Sequence, residues 1–134
     1  MAEWYAEIES TIFTIVQYNL KTRKDAPYPN LTCTTASTSE SPSKFPTLYL
    51  HELNPLERDQ DLENTEINSI LHSVEIQVFS NKSEAEVRNI MAAAVKEMKK
   101  LRYTVTLFPD PTTTNKISSA VARFRRSIAR DDTL

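Results

Sequence analysis

The chain has 134 residues, room for a single domain that buries roughly two-thirds of the surface its unfolded form would expose, without help from a disulfide or a metal. Charged residues make up 25% and hydrophobic residues 40%, and the net charge is -2, which excludes a general electrostatic pull toward nucleic acid or anionic membrane. Glycine is absent, where average usage of roughly 7% would give about nine, and this excludes the Walker P-loop, the G-x-G-x-x-G dinucleotide loop and the G-x-S-x-G nucleophile elbow.

Without Asn-Gly pairs, tight two-residue hairpins are not expected and longer loops should join the strands. The lone cysteine, Cys33, has no partner for an internal disulfide, so a reducing cytosolic origin is expected. No apolar run reaches the 18 or so residues of a membrane span, and the opening MAEWYAEIES lacks the basic patch and apolar centre of a signal peptide. The expectation is a soluble protein that stays where it is made.

Residues 3–22 place Ile8, Ile12, Ile15, Val16 and Leu20 at helical spacing, with Glu3, Glu7 and Glu9 near the positive N-terminal end. An amphipathic helix is predicted, ended by Pro27 and Pro29. LTCTTA at 31–36 alternates as a short strand, and the polar tract STSESPSK at 37–44 reads as a loop. FPTLYLHEL at 45–53 has the aromatic and β-favouring mix of a strand, with proline tolerated at its start. The acidic stretch 54–69 reads as a long loop or arm.

Next come Val74, Ile76 and Val78 alternating with Glu75 and Gln77, the pattern of a strand covered on one face. Ser83 and Glu86 form a capping box for a second helix, whose apolar stripe is Val87, Ile90, Met91, Ala94, Val95, Met98 and Leu101. Tyr103, Val105 and Leu107 alternate in a further strand. In the tail the two periods conflict. Ile117, Val121, Phe124 and Ile128 fit a helix, whereas alternation puts Ala122, Phe124, Arg126 and Ile128 on one side of a strand. Together these elements predict an α+β domain: an antiparallel sheet with two amphipathic helices packed on one face, in the order α-β-β-β-α-β-β.

Candidate chemistry is sparse. His51 and His72 lack a histidine or cysteine at ligand spacing, so both read as structural and no metal site is assigned. Asp59, Asp61 and Glu63 open like a calcium loop, but the sixth position is Asn64 and the twelfth is Ile70, where an EF-hand needs glycine and glutamate. Cys33 has no adjacent base and reads as a small half-buried residue. No catalytic residue, no cofactor and no enzyme class gains support.

The remaining concentration is Arg123, Arg125, Arg126 and Arg130. Such a cluster could track phosphates, as in a small nucleic-acid-binding α+β domain, but the glycine-containing signature of RNA-recognition modules is absent. Forked pairing with carboxylates across a subunit contact is the more economical reading.

SPSKFPTLYLHEL, DLENTEIN, VEIQVFSNKSEAEV, MKKLRYTV and VARFRRSI, in that order over nearly the whole chain, resemble the tail-completion or tail-terminator proteins of long-tailed bacteriophages, especially those of Gram-positive hosts. The resemblance implies a virion structural protein, assembled in the host cytoplasm, that forms a homo-hexameric ring at the head-proximal end of the tail tube. There it stops tube growth and joins the tail tube protein to the head-completion proteins of the neck, with genomic DNA passing through the lumen without sequence-specific binding and no membrane involved. A head-side neck protein is the neighbouring alternative. In such proteins the stretch matching Ala122 to Ile128 is a strand, usually ending in a glycine-containing turn, where this chain has SIARDD. Independently of the resemblance, the opposite charges of the two segments suggest that Arg123, Arg125 and Arg126 face Glu57, Asp59 and Asp61 of the acidic arm across the subunit contact.

Overall fold

The computed structural model describes residues 7–35, 45–60 and 67–129, with the backbone alone for 54–60, 67–69 and 129. The elements are α1 (Ile8–Gln17), β1 (Thr32–Thr34), β2 (Thr47–Gln60), β3 (Ile67–Ser80), α2 (Glu84–Lys100), β4 (Thr104–Leu107), β5 (Thr112–Thr114) and β6 (Ile117–Ala129). They build one six-stranded sheet in the order β1-β2-β3-β6-β4, with β5 also on β6.

α1 turns Ile8, Ile12 and Val16 onto the sheet. Their regular spacing of four drifts slowly round a 3.6-residue helix, and a π-helical turn, Tyr18–Thr22, follows and brings Leu20 into the same core. α2 begins where the sequence places it: the Ser83 Oγ accepts from the Glu86 N–H at 3.1 Å. The Glu86 carboxylate does not reach back as a full capping box would. It accepts instead from the Ser80 hydroxyl at 2.5 Å, tying the helix to the end of β3.

α2 ends in a Schellman motif without glycine. The Tyr103 N–H donates to the Met98 carbonyl and the Arg102 N–H to the Lys99 carbonyl, with Arg102 at φ 68. Met98 and Tyr103, the apolar pair that accompanies this motif, are both buried.

Alternation then sorts the sheet. Leu48 and Leu50 on β2, Val74, Ile76 and Val78 on β3, and Ala120, Ala122 and Phe124 on β6 face both helices and form one core with Ile12, Val16, Ile90, Met91 and Met98. Each large side chain so buried contributes on the order of 1.5–3 kcal/mol. The α+β architecture, with two helices on one face of a sheet, is as expected from the sequence.

Three expectations are corrected. The sheet is mixed and not wholly antiparallel, because β1 runs parallel to β2, with Thr32 opposite Thr47. Of the stretch 54–69, read as a loop, residues 54–60 and 67–69 continue two strands, and 61–66 lie outside the described residues: β2 runs to Gln60 and β3 starts at Ile67, with Glu57 opposite Ile70 and Asp59 opposite Ser69. Backbone pairing needs no apolar alternation, and Pro55 falls at a register shift between Leu53 and Leu56, where a strand tolerates it.

In the tail, where the two periods conflict, the final strand of the expected order is borne out: β6 runs from Ile117 to Ala129 and lies along nearly the whole of β3 from Ser118 onward, while 130–134 lie outside the described residues. A sixth strand, β5, joins β6 by a two-residue turn although no glycine is present. Thr114 pairs with Ile117, and Asn115 and Lys116 between them take φ values of 53 and 66. Asparagine enters the left-handed region readily; lysine does so at a cost.

Candidate subunit interface

Because side chains alternate along β6, neighbouring arginines in the cluster part company. Arg123 and Arg125 project from the face away from the helices and are exposed, whereas Arg126 turns inward and is only 7% exposed. The expectation that all three line one contact surface fails for Arg126. Its Nη1 donates to the Leu101 carbonyl at 3.1 Å, so the guanidinium sits at the negative C-terminal end of α2.

Arg123 belongs to a row that crosses three strands. His51 on β2 lies opposite Glu75 on β3, which lies opposite Arg123 on β6. The Arg123 Nε donates to one Glu75 oxygen at 2.8 Å, and the His51 Nε2 stands 3.6 Å from the other. The arginine side chain is 52% exposed, so this pair contributes about 0–1 kcal/mol and mainly fixes where the guanidinium points. His51 also stacks on Tyr49 with ring centroids 4.7 Å apart, and its Nδ1 has no hydrogen-bond partner among the described residues. Arg125 stands one row further along, between Ser73 and Thr104.

Of the carboxylates expected to answer these arginines, Glu57 and Asp59 have their backbones on the β2 extension, while their side chains and all of Asp61 lie outside the described residues. The carboxylate that does meet the cluster, Glu75, comes from the same chain. Register was the signal that would have found it, since Glu75 and Arg123 share the outward parity of two paired strands.

On the opposite face a buried polar cluster interrupts the apolar core. His72 is fully buried, with its Nε2 2.6 Å from the Glu52 carboxylate and its Nδ1 2.7 Å from the Tyr103 hydroxyl. An ionised Glu52 takes the Nε2–H, which leaves Nδ1 to accept from Tyr103. Glu9 on α1 completes the group by accepting the Glu52 backbone N–H at 2.6 Å.

Desolvation lowers the His72 pKa below its ordinary value, outweighing the upward pull of Glu52 and Glu9, and Arg126 lowers it further. Burial likewise pushes the Tyr103 hydroxyl far up, so it stays protonated and able to donate. With all its partners inside the fold, this cluster ties β2, β3, α1 and the end of α2 together, in keeping with the structural reading of His72.

Cys33 packs half-buried against the core, and burial pushes its thiol up to about 11, with Lys21 pulling weakly the other way. A thiol so raised is a poor nucleophile at neutral pH. Among the described residues no group of three or more histidine, cysteine or carboxylate side chains is placed to hold a metal ion. No protein-family profile and no curated protein matches the chain.

Proposed function

We propose that this protein is a phage tail-completion or tail-terminator subunit. It closes into a homo-oligomeric ring, of six copies if the resemblance holds, at the head-proximal end of the tail tube. There it stops tube growth and offers the head-completion protein a surface to bind. Its function is geometric fit to its own copies and to neighbouring virion proteins, with no substrate turned over.

The observation that carries this reading is the five sequence phrases in a shared order, from SPSKFPTLYLHEL to VARFRRSI. The fold supports it in two ways. A sheet braced by two helices on one face is stiff enough to serve as a building block. The Glu75 carboxylate also partly neutralises Arg123, which makes the arginine strand a weaker phosphate track than its sequence suggests and favours protein contacts.

An infection in which this chain is not made tests the reading. Filled heads and separate tails, some with tubes of uncontrolled length, are expected, and adding the purified protein should restore joining. Normally joined particles in its absence would refute the assignment.

A further inference from the structure

Most of the sheet's length is bordered by other elements. β1 covers β2 from Thr47 to Tyr49, and the Glu9 carboxylate then takes the Glu52 N–H at 2.6 Å. On the other side β5 covers β6 from Ile117 to Ser119, and β4 covers it from Arg123 to Arg125. Beyond these levels β2, β3 and β6 run on as a three-stranded ribbon.

In that ribbon Leu71 pairs with both Leu56 and Ser127, and Ser69 pairs with both Asp59 and Ala129. Among the described residues, nothing pairs with the outer margin of β2 at 56–60 or with that of β6 at 127–129. A bare strand margin carries unpaired backbone donors and acceptors and invites another strand.

We propose that copies of this chain join head to tail by main-chain pairing between the β2 margin of one subunit at 56–60 and the β6 margin of the next at 127–129. This rests on the ring reading above and adds the joint. Both strands are antiparallel to β3 and therefore parallel to each other, so the joint is a parallel pairing that continues one sheet from subunit to subunit. The two margins lie on the same rungs, so each added copy keeps its level and its orientation. Such a heterologous contact closes into a ring when the rotation between copies divides a full turn.

Register shifts between Leu53 and Leu56, between Glu57 and Asp59, and between Asp59 and Gln60 make the β2 margin irregular, and Pro55 removes one donor. A regular foreign strand finds few bonds in step with it. A second copy always presents the same counterpart, which is what a specific joint between irregular margins requires. The pairing is short, so single contacts are weak and the closed ring, gripping every subunit on two sides, is the stable form.

Amide hydrogen exchange tests the joint when measured by mass spectrometry on the purified chain and on the same chain within isolated oligomers or virions. Peptides spanning 53–60 and 125–129 are both expected to slow by about tenfold or more on assembly. An oligomer in which neither slows overturns the joint while leaving the ring reading intact. A dimer with slowing in 53–60 alone means two-fold β2-to-β2 pairing and also overturns it. A chain that is monomeric in every fraction, virions included, overturns both.

Discussion

Replacing Tyr103 by phenylalanine isolates one atom of the buried cluster. The ring keeps its place against Met98 and the sheet, so no cavity opens and only the hydroxyl is lost. The Glu52 carboxylate 2.6 Å from the His72 Nε2 fixes the tautomer, so Nδ1 becomes a buried acceptor without a donor. Orphaning such a group costs about 1–3 kcal/mol.

With a urea dependence of about 1–3 kcal/mol per molar for a domain of this kind, the unfolding midpoint should fall by on the order of 1 M with the slope unchanged. Combining Tyr103→Phe with His72→Leu removes donor and acceptor together. The double variant should then be more stable than the sum of the single losses by about 1 kcal/mol or more. A Tyr103→Phe midpoint indistinguishable from the parent, or strict additivity in the double variant, would refute the assigned hydrogen bond.

The same cluster sets a pH dependence. The folded-state pKa of His72 lies below its unfolded value of about 6.5, so the unfolded chain binds more protons between the two values. Stability from this group is complete above about pH 6.5 and is lost as pH falls toward the folded pKa, with a slope of up to about 1.4 kcal/mol per pH unit. Chemical unfolding at stepped pH should show this fall, and it should flatten in His72→Leu. At the start of α2, Ser83→Ala removes the acceptor for the Glu86 N–H and should cost about 1 kcal/mol in the same assay. At the β5–β6 turn, Lys116→Gly relieves a positive φ of 66 and should raise stability by about 0.5–1 kcal/mol.

Periodicity revealed the parts of this fold that one strand or helix decides alone. The stripe from Val87 to Met98 and the Ser83 cap define α2, and the alternation of Val74, Ile76 and Val78 defines the centre of β3. The tail could not be settled locally. Ile117, Val121, Phe124 and Ile128 satisfy a helix as well as alternation satisfies a strand, and the decision comes from β3, whose long ladder needs a partner.

The ribbon end at 54–60 was hidden for a related reason, since its backbone is paired with β3 while its sequence lacks an alternating apolar pattern. The turn at Asn115 and Lys116 was hidden because glycine, the usual marker of left-handed backbone, is missing. At the candidate interface, the arginine cluster was visible, and its split follows once the tail is a strand, since alternation sets Arg126 with Phe124 and Ile128. What the sequence could not show is that Arg125 turns outward while Arg126 reaches Leu101. Glu52, His72, Tyr103 and Arg126 are far apart in sequence; Tyr103 reads as part of an apolar alternation and the other three as interruptions of one. Only the paired strands bring them together.

Imaging of intact virions with a label on this chain addresses the central claim most directly. Six copies of a 15.3 kDa chain, about 92 kDa in all, should form one closed ring at the junction of tail tube and neck, with none along the tube or on the capsid. Particles that lack the chain, or carry it dispersed or singly, would contradict the account.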